Sequence, residues 1–169
     1  MVQRLNEPVS AAAVPRVPGA RILLLEAPYY PAIVGRLVEG ALAAVSAAGA
    51  TAGRLTVPGA LELPQALAAL IAADRLGRRA GQRTYDGVAV LGCVIRGETA
   101  HYDVVVGNTN QFLMKLAVKY GVPLGNALLT VDSEAQALAR ANADKGGDAA
   151  RACLRLIEIE RALKAGAEG

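Results

Sequence analysis

Short apolar runs alternate along this chain with longer segments whose apolar residues recur at helical spacing. The runs RILLLEA at Arg21–Ala27 and DGVAVLGC at Asp86–Cys93 are nearly continuous in apolar residues, a pattern typical of strands covered on both faces of a sheet. Between them, Pro31–Ala48 has helical spacing, and Gly49 is placed to end the helix. Parallel strands need crossover helices of this kind. The alternation therefore predicts an α/β fold, a three-layer α/β/α sandwich around a short parallel sheet.

The rest of the chain continues the alternation and predicts a single domain over residues 20–169. Residues 1–19 contain three prolines and no clear period, which predicts a flexible or peripheral arm. The remaining predicted elements are a strand ending at Arg54–Val57, helices from about Glu62 to Arg75 and from Thr99 or His101 to Tyr120, a strand at Asn126–Val131, a helix from Asp132 or Ser133 through about Ala141, a polar break over Asn142–Gly147, and a last helix from Gly147 or Asp148 to Leu163.

Composition excludes several classes of protein. Apolar residues make up 53% of the chain but aromatic residues only 4%, so the core is expected to consist of Ala, Leu, Val and Ile. The net charge of +3 is scattered, which argues against a nucleic-acid surface. The cysteines Cys93 and Cys153 lie far apart, which disfavours a metal site and predicts free thiols in a reducing cytoplasm. The first 18 residues lack an apolar signal core, and no uninterrupted apolar run is long enough to span a membrane.

One segment suggests a phosphorylated small-molecule substrate. The run Gly92-Cys93-Val94-Ile95-Arg96-Gly97-Glu98-Thr99-Ala100-His101 follows a predicted buried strand and opens a helix. A strand that turns through glycine into a helix leaves backbone N–H groups unpaired, and these bind anions such as phosphate. The run also contains His101, the only histidine of the chain, and an imidazole near a helix start is suited to proton transfer near neutral pH. A histidine that is merely a satisfied polar group is the structural alternative.

Other segments are expected at the same edge, because ligands collect at the carboxyl ends of parallel strands. Tyr29 follows the first strand, where its ring either packs or stacks on a planar heterocycle. Val57–Pro64 is either a strand-to-helix turn or a bend that presents Glu62 to a polar ligand. The first strand is followed by neither a G-x-G-x-x-G motif nor a phosphate loop. Common nucleotide-binding uses of such a fold are therefore disfavoured.

Two cations near the end of the predicted fourth helix have two interpretations. Arg140 lies at the end of that helix and Lys145 lies just beyond it. Cations stabilise a helix C-terminus, and this is the structural interpretation. The alternative is a phosphate clamp, for which the planar fork of arginine is well suited.

Together, Val57-Pro58-Gly59-Ala60-Leu61-Glu62-Leu63-Pro64, the run Gly92–His101 and Asp144-Lys145-Gly146-Gly147 make residues 20–163 resemble 6,7-dimethyl-8-ribityllumazine synthases. The resemblance implies a flavodoxin-like fold with a four-stranded parallel sheet. It implies a transferase of riboflavin biosynthesis that condenses 5-amino-6-ribitylamino-uracil with 3,4-dihydroxy-2-butanone 4-phosphate, releasing phosphate and water, without a metal or organic cofactor. It further implies homopentamers, or shells of pentamers, with active sites between subunits, and riboflavin synthase as a candidate partner.

The resemblance also implies roles for individual residues. His101 would transfer protons, and Tyr29 would stack on the pyrimidine ring. Arg140 of an adjacent subunit would bind the phosphate and is counted with His101 as catalytic. The other implied substrate-binding residues are Ala60, Leu61 and Glu62 for the ribityl chain and ring, Cys93, Val94 and Ile95 for the pyrimidine, Gly97, Glu98 and Thr99 for the phosphate, and Asn126 and Lys145 from the adjacent subunit.

Two residues, Pro28 and Asn126, and the segment between Arg140 and Lys145 depart from the family pattern. Many members have arginine where Pro28 stands and phenylalanine where Asn126 stands, so one wall of the pyrimidine pocket is expected to be polar here. The segment between Arg140 and Lys145 is short, which favours a free pentamer over an icosahedral shell. The alternative functions are a non-catalytic homologue that binds a lumazine or flavin, a homologue whose main role is shell formation, and an unrelated flavodoxin-like binding module.

Overall fold

The computed structural model describes residues 14–77 and 83–166. Four strands and five helices alternate within these residues. In chain order they are β1 (Arg21–Ala27), α1 (Pro31–Ala47), β2 (Thr51–Thr56), α2 (Glu62–Ala72), β3 (Gly87–Ile95), α3 (His101–Tyr120), β4 (Leu124–Val131), α4 (Glu134–Asn142) and α5 (Lys145–Lys164).

The strands form one parallel sheet in the order β2-β1-β3-β4. Apolar side chains of α1, α4 and α5 pack on one face of the sheet, and those of α2 and α3 pack on the other. The predicted three-layer α/β/α sandwich is therefore confirmed, and the strand order agrees with the flavodoxin-like order at these four positions. Both cores consist mainly of Leu, Val, Ile and Ala, as the low aromatic content predicts.

Burial differs sharply between central and edge strands. In β1 every residue after Arg21 is buried, whereas β2 at the sheet edge has five exposed residues and one half-buried residue. Neither apolar core contains a residue of β2. The continuous apolar pattern of β1 is therefore the pattern of a strand covered on both faces. β2 is held mainly by its parallel pairing with β1.

Several predicted boundaries of helices and strands are wrong. The predicted polar break over Asn142–Gly147 shrinks to two residues, because Asp144 adopts a left-handed backbone (φ 58°) and its carboxylate accepts a hydrogen bond from the N–H of Gly147. α2 ends before Arg75, because Asp74 is also left-handed (φ 55°). β4 begins two residues before Asn126, and β3 continues to Ile95, which pairs with Val131.

The start of α5 is packed unusually closely. A Cβ atom on Gly146 would overlap the carbonyl group of Leu37 in α1, and one on Gly125 would overlap the carbonyl of Ala149 in α5. Glycine at these two positions lets α5 approach both α1 and β4. The Gly146 of the predicted family motif thus has a packing role.

The predicted amino-terminal arm is described only in part, because its residues 1–13 lie outside the described residues. Of the rest, Val17 is buried and its N–H donates to the carbonyl of Ala48 at 3.1 Å.

Within residues 14–77 and 83–166, no helix is both long enough and apolar enough to cross a membrane.

Candidate active site

A pocket of about 320 Å³ opens at the carboxyl edge of the sheet. Three loops form it, those that follow β1, β2 and β3. Their lining residues are Tyr29, Tyr30, Gly59, Ala60, Leu61, Glu62, Cys93, Val94, Ile95, His101 and Val105. The strand order places β1 between β2 and β3, so residues distant in sequence meet at this edge.

Two tyrosines form the aromatic side of the pocket. Tyr29 is 71% exposed, and its ring meets that of Tyr30 edge to face, with centroids 5.1 Å apart. The N–H of Tyr29 donates to the carbonyl of Ala27 at 2.9 Å, which forms a tight turn at the end of β1. Burial, followed by the nearby Tyr29, raises the pKa of Tyr30. Tyr29 therefore presents an open ring face, while Tyr30 supports it.

The loop after β2 carries the carboxylate of the pocket. Glu62 is the first residue of α2, and its N–H donates to the carbonyl of Gly59 at 3.3 Å. A Cβ atom on Gly59 would lie 3.0 Å from Oε2 of Glu62, so the carboxylate folds back over this glycine. A carboxylate at a helix start is stabilised by the helix dipole. The carboxylate of Glu62 can therefore accept hydrogen bonds from hydroxyl or N–H groups of a ligand in the pocket.

The end of β3 supplies the inner wall. Cys93 is buried, and Val94 and Ile95 are half-buried. Burial raises the pKa of the Cys93 thiol to about 11, so the thiol is neutral at physiological pH. This wall therefore offers apolar surface and backbone groups, as a flat heterocycle requires.

The loop between β3 and α3 is exposed and begins an uncapped helix. Ala100, the N-cap of α3, makes no side-chain capping hydrogen bond. Among the described residues, the N–H groups of Gly97, Glu98 and Thr99 donate to no backbone carbonyl. Such N–H groups, together with the helix dipole, favour an anion. The exposed His101 begins α3 directly after this loop and lines the pocket.

Arg96 anchors this loop at its base. Its N–H donates to the carbonyl of Val131 at 2.8 Å. Its guanidinium donates to Asp103 at 3.2 Å and to Asp132 at 3.2 Å, and lies over the ring of Tyr102. Arg96 therefore connects the end of β3 with the first turn of α3 and with the end of β4.

Six predicted site residues do not line the pocket of their own chain, namely Gly97, Glu98 and Thr99 in the loop before α3, and Asn126, Arg140 and Lys145 on β4, α4 and α5. The amide of Asn126 on β4 donates to Oδ1 of Asn110 at 2.8 Å. Arg140 is exposed in the last turn of α4. Lys145 begins α5 and its ammonium donates to Asp148 at 2.9 Å. Asn126, Arg140 and Lys145 are the three residues predicted to act from an adjacent subunit.

Three residues that line the pocket were assigned no role from the sequence, namely Tyr30, Gly59 and Val105. Tyr30 and Gly59 belong to segments that were expected at this edge. Val105 lies one helical turn after His101, and this spacing was the signal available for it. Across residues 14–77 and 83–166, no group of three or more His, Cys, Asp or Glu side chains is placed to hold a metal ion.

Comparison with known proteins assigns the family. A family model described as 6,7-dimethyl-8-ribityllumazine synthase matches residues 19–161. The chain belongs to this family. A 6,7-dimethyl-8-ribityllumazine synthase of Methylobacterium radiotolerans is 52% identical over 150 residues, which cover 87% of this chain and 86% of that protein. The same name is given to relatives in Nitrobacter hamburgensis (50% identical; 87% and 90% covered) and Azorhizobium caulinodans (47% identical; 95% and 98% covered).

The predicted resemblance is therefore confirmed, and with it the assignment to the lumazine synthase family, a family of transferases in riboflavin biosynthesis. The four-stranded parallel sheet flanked by helices is consistent with this family. All three segments on which the resemblance rested lie within the matched residues 19–161.

Proposed function

We propose that this chain condenses 5-amino-6-ribitylamino-uracil with 3,4-dihydroxy-2-butanone 4-phosphate to form 6,7-dimethyl-8-ribityllumazine, and that the pocket at the carboxyl edge is its catalytic site. One observation carries the proposal. The pocket brings the ring of Tyr29, the carboxylate of Glu62 and the imidazole of His101 together. The reaction needs a surface for a ring, an acceptor for a polyol and a proton carrier, and these side chains supply them.

The ribitylamino-uracil is assigned to the side of the pocket formed by β1, β2 and β3. The ring stacks on Tyr29, and its edge bonds to backbone groups of the half-buried Cys93–Ile95 wall. Ala60, Leu61 and Glu62 hold the ribityl chain. Polar edges and an apolar ring face match this combination of backbone groups and apolar surface.

The butanone phosphate is assigned to the start of α3. Its phosphate accepts hydrogen bonds from the N–H groups of Gly97, Glu98 and Thr99, which are exposed and unpaired by backbone carbonyls in the described structure. The arylamine then attacks the ketone, and a Schiff base forms with loss of one water. Phosphate is eliminated, and the ribitylamino nitrogen attacks the remaining carbonyl carbon, closing the ring with loss of a second water. Each step moves a proton, and His101 serves as the carrier. Holding both substrates in register supplies much of the acceleration.

Asn126, Arg140 and Lys145 complete the site from a neighbouring subunit in this proposal. None of them lines the pocket of its own chain, whereas Arg140 and Lys145 are exposed cations suited to a phosphate. In this proposal Asn126 adds an amide to the wall of the pyrimidine site.

The surface of α3 supports a cyclic homo-oligomer, with a pentamer as the proposed form. Val104, Phe112, Met114 and Val118 are large apolar residues exposed on this helix. One apolar groove runs between α2 and α3, and a second lies between α3, β4 and α5. Two different apolar surfaces on one chain suit a heterologous ring. The first groove shares Leu61 with the catalytic pocket, so a subunit seated there adjoins the site.

The activity is tested by mixing purified protein with both substrates and following lumazine fluorescence against the uncatalysed rate. Arg140→Ala is measured alongside, and it is expected to raise the KM for the butanone phosphate while leaving the KM for the uracil substrate unchanged. Formation at the uncatalysed rate by an assembled oligomer would instead support the ligand-binding homologue.

The composite site is tested by mixing two defective variants. His101→Ala and Arg140→Ala proteins are unfolded, combined and refolded together. If sites form between subunits, some sites receive an intact His101 from one chain and an intact Arg140 from the next, and activity exceeds that of either variant refolded alone. An unchanged rate with mixed oligomers present would refute a site shared between subunits.

We also propose that the protein acts in the cytoplasm and that riboflavin synthase uses its product. The described cysteines Cys93 and Cys153 are free and buried, which is compatible with the reducing cytoplasm proposed for this chain. The lumazine product is then available to riboflavin synthase as the proposed partner.

A further inference from the structure

We propose that the ion pair between Glu26 and Arg54 is a positioning device for the uracil half of the site. It locks the edge strand β2 onto β1 and thereby sets the place of the loop that carries Gly59 and Glu62. The inference rests on the proposed function, because it assigns a task to residues outside the pocket in terms of the substrate bound there.

The geometry of this pair is that of a two-pronged clamp. Nε of Arg54 lies 2.6 Å from Oε1 of Glu26, and Nη2 lies 2.9 Å from Oε2. Glu26 is 2% exposed, whereas the side chain of Arg54 is 55% exposed. The carboxylate is thus buried with both oxygens on one guanidinium, the arrangement in which arginine is least replaceable.

Beyond its parallel backbone pairing with β1, β2 has few side-chain contacts that hold it in place. Five of its residues are exposed, and none belongs to an apolar core. Within the described structure, Arg54 is the residue of β2 whose side chain forms hydrogen bonds. On the other face of the sheet Tyr85 covers Gly53, nearer the start of the strand. The ion pair therefore secures the half of β2 that leads to the pocket.

Both partners lie at the bases of loops that line the pocket. Glu26 precedes Tyr29 by three residues, and Arg54 precedes Val57 by three residues. The N–H of Val57 donates to the carbonyl of Glu26 at 2.8 Å. A shift of β2 along β1 would therefore move Gly59–Glu62 relative to Tyr29. The proposed phosphate loop after β3, Gly97–Ala100, would stay in place, because Arg96 connects its base to the end of β4.

The test compares substitutions of this pair with those of a matched pair elsewhere. Arg83 and Glu160 also form a two-pronged ion pair, with distances of 3.3 Å and 3.4 Å. That pair lies near the start of β3, at the amino ends of the strands, whereas the pocket lies at their carboxyl ends. The variants are Arg54→Gln, Arg54→Lys, the double variant Glu26→Gln/Arg54→Gln, and Arg83→Gln as the control. The steady-state KM for each substrate is measured, with melting temperature and oligomer size.

Arg54→Gln is expected to raise the KM for the uracil substrate by about fivefold or more, while the KM for the butanone phosphate stays within about twofold. The double variant, which leaves no unpaired buried charge, recovers stability but not the KM. Arg83→Gln lowers the melting temperature and changes neither KM. Equal rises in both KM values, or none in an assembled Arg54 variant, would overturn the proposal.

Hydrogen–deuterium exchange makes the outcome independent of activity. If Arg54→Gln does not fold, Arg54→Lys retains the charge but loses the fork, and is used instead. Faster exchange at residues 54–62, with unchanged exchange in α3, supports the clamp. Unchanged exchange at residues 54–62 overturns it. If the wild-type protein forms no lumazine, the proposed function fails, and the exchange result still decides whether the clamp positions this loop.

Discussion

The guanidinium of Arg96 lies 4.1 Å from the centroid of the Tyr102 ring, so that a cation covers an aromatic face at the start of α3. The hydrogen bond with Asp103 is the largest of the influences that raise the pKa of Arg96. These contacts connect the last residues of β3 with the first turn of α3. The loop between them, Gly97–Ala100, is exposed and uncapped. Arg96 is therefore the side chain that limits the motion of the proposed phosphate loop.

Replacing Arg96 by glutamine is expected to raise the KM for the butanone phosphate by about threefold to tenfold, because exposed ion pairs contribute modestly. The KM for the uracil substrate should change less. Initial rates with each substrate varied in turn provide the measurement. Arg155→Gln is the control, since Arg155 pairs with Glu158 on the exposed side of α5. An unchanged KM for the phosphate substrate would show that the loop is held by its backbone alone.

Replacing His101 by alanine is expected to lower kcat by about tenfold to a hundredfold, with small changes in either KM. General acid–base catalysis typically contributes about a hundredfold to ten-thousandfold. We expect a loss at or below the lower end of this range, because positioning of the two substrates remains intact in the variant. Steady-state kinetics and oligomer size are measured together. A fall to the uncatalysed rate in a fully assembled variant would contradict the view that positioning supplies most of the acceleration.

The thiols of Cys93 and Cys153 are expected to resist Ellman's reagent in the folded protein at pH 8. Burial raises the pKa of Cys93 to about 11 and that of Cys153 to about 12. The thiolate fraction of Cys93 at pH 8 is therefore on the order of one in a thousand. Reaction should accelerate about tenfold for each unit of rising pH, and both thiols should react in urea. Rapid reaction of one thiol at pH 8 without urea would contradict this.

Lowering the pH is expected to reduce the free energy of unfolding through protonation of Glu160. Burial alone would raise the pKa of this carboxyl, but hydrogen bonds from Lys164 and Arg83 outweigh burial and hold it below the usual 4.5. A lowered folded-state pKa adds stability above pH 4.5, and that stability is lost as the pH falls through the lower folded value. Glu160→Gln should therefore flatten the dependence of melting temperature on pH below about 4.5. An unchanged slope would mean that other carboxylates dominate acid unfolding.

Adding a methyl group at Gly146 is expected to destabilise the fold by about 1–3 kcal/mol, because overpacked interiors cost about this much. The new Cβ would overlap the carbonyl of Leu37. Gly35→Ala is the matched control in α1, where nothing lies within 4 Å of an added Cβ, and it should stabilise by roughly 0.5–1 kcal/mol. Urea unfolding of both variants provides the measurement. Equal signs for the two changes would contradict the close approach of α5 to α1.

The sequence by itself determined the fold class and predicted three side chains that the structure brings into one pocket. Continuous apolar runs are a local signal, and they located β1 at Arg21–Ala27 with both ends correct. The end of α3 before Gly121 was also local, since this glycine adopts a left-handed backbone. Tyr29, Glu62 and His101 were predicted to meet because each lies in a segment that follows a strand, and parallel strands bring such segments to one edge. Their individual roles were implied by the family resemblance.

The tertiary structure alone decided the rest. The helix start at Lys145 depends on a left-handed Asp144, which residue preferences do not predict. The ion pair between Glu26 and Arg54 forms only because β1 pairs with β2 in one particular register. Tyr30 and Val105 enter the pocket, and Asn126 lies away from it, because strand order and helix packing set distances between residues far apart in sequence. Such pairings follow from the packing of the whole chain, whereas strand and helix patterns follow from neighbours along it.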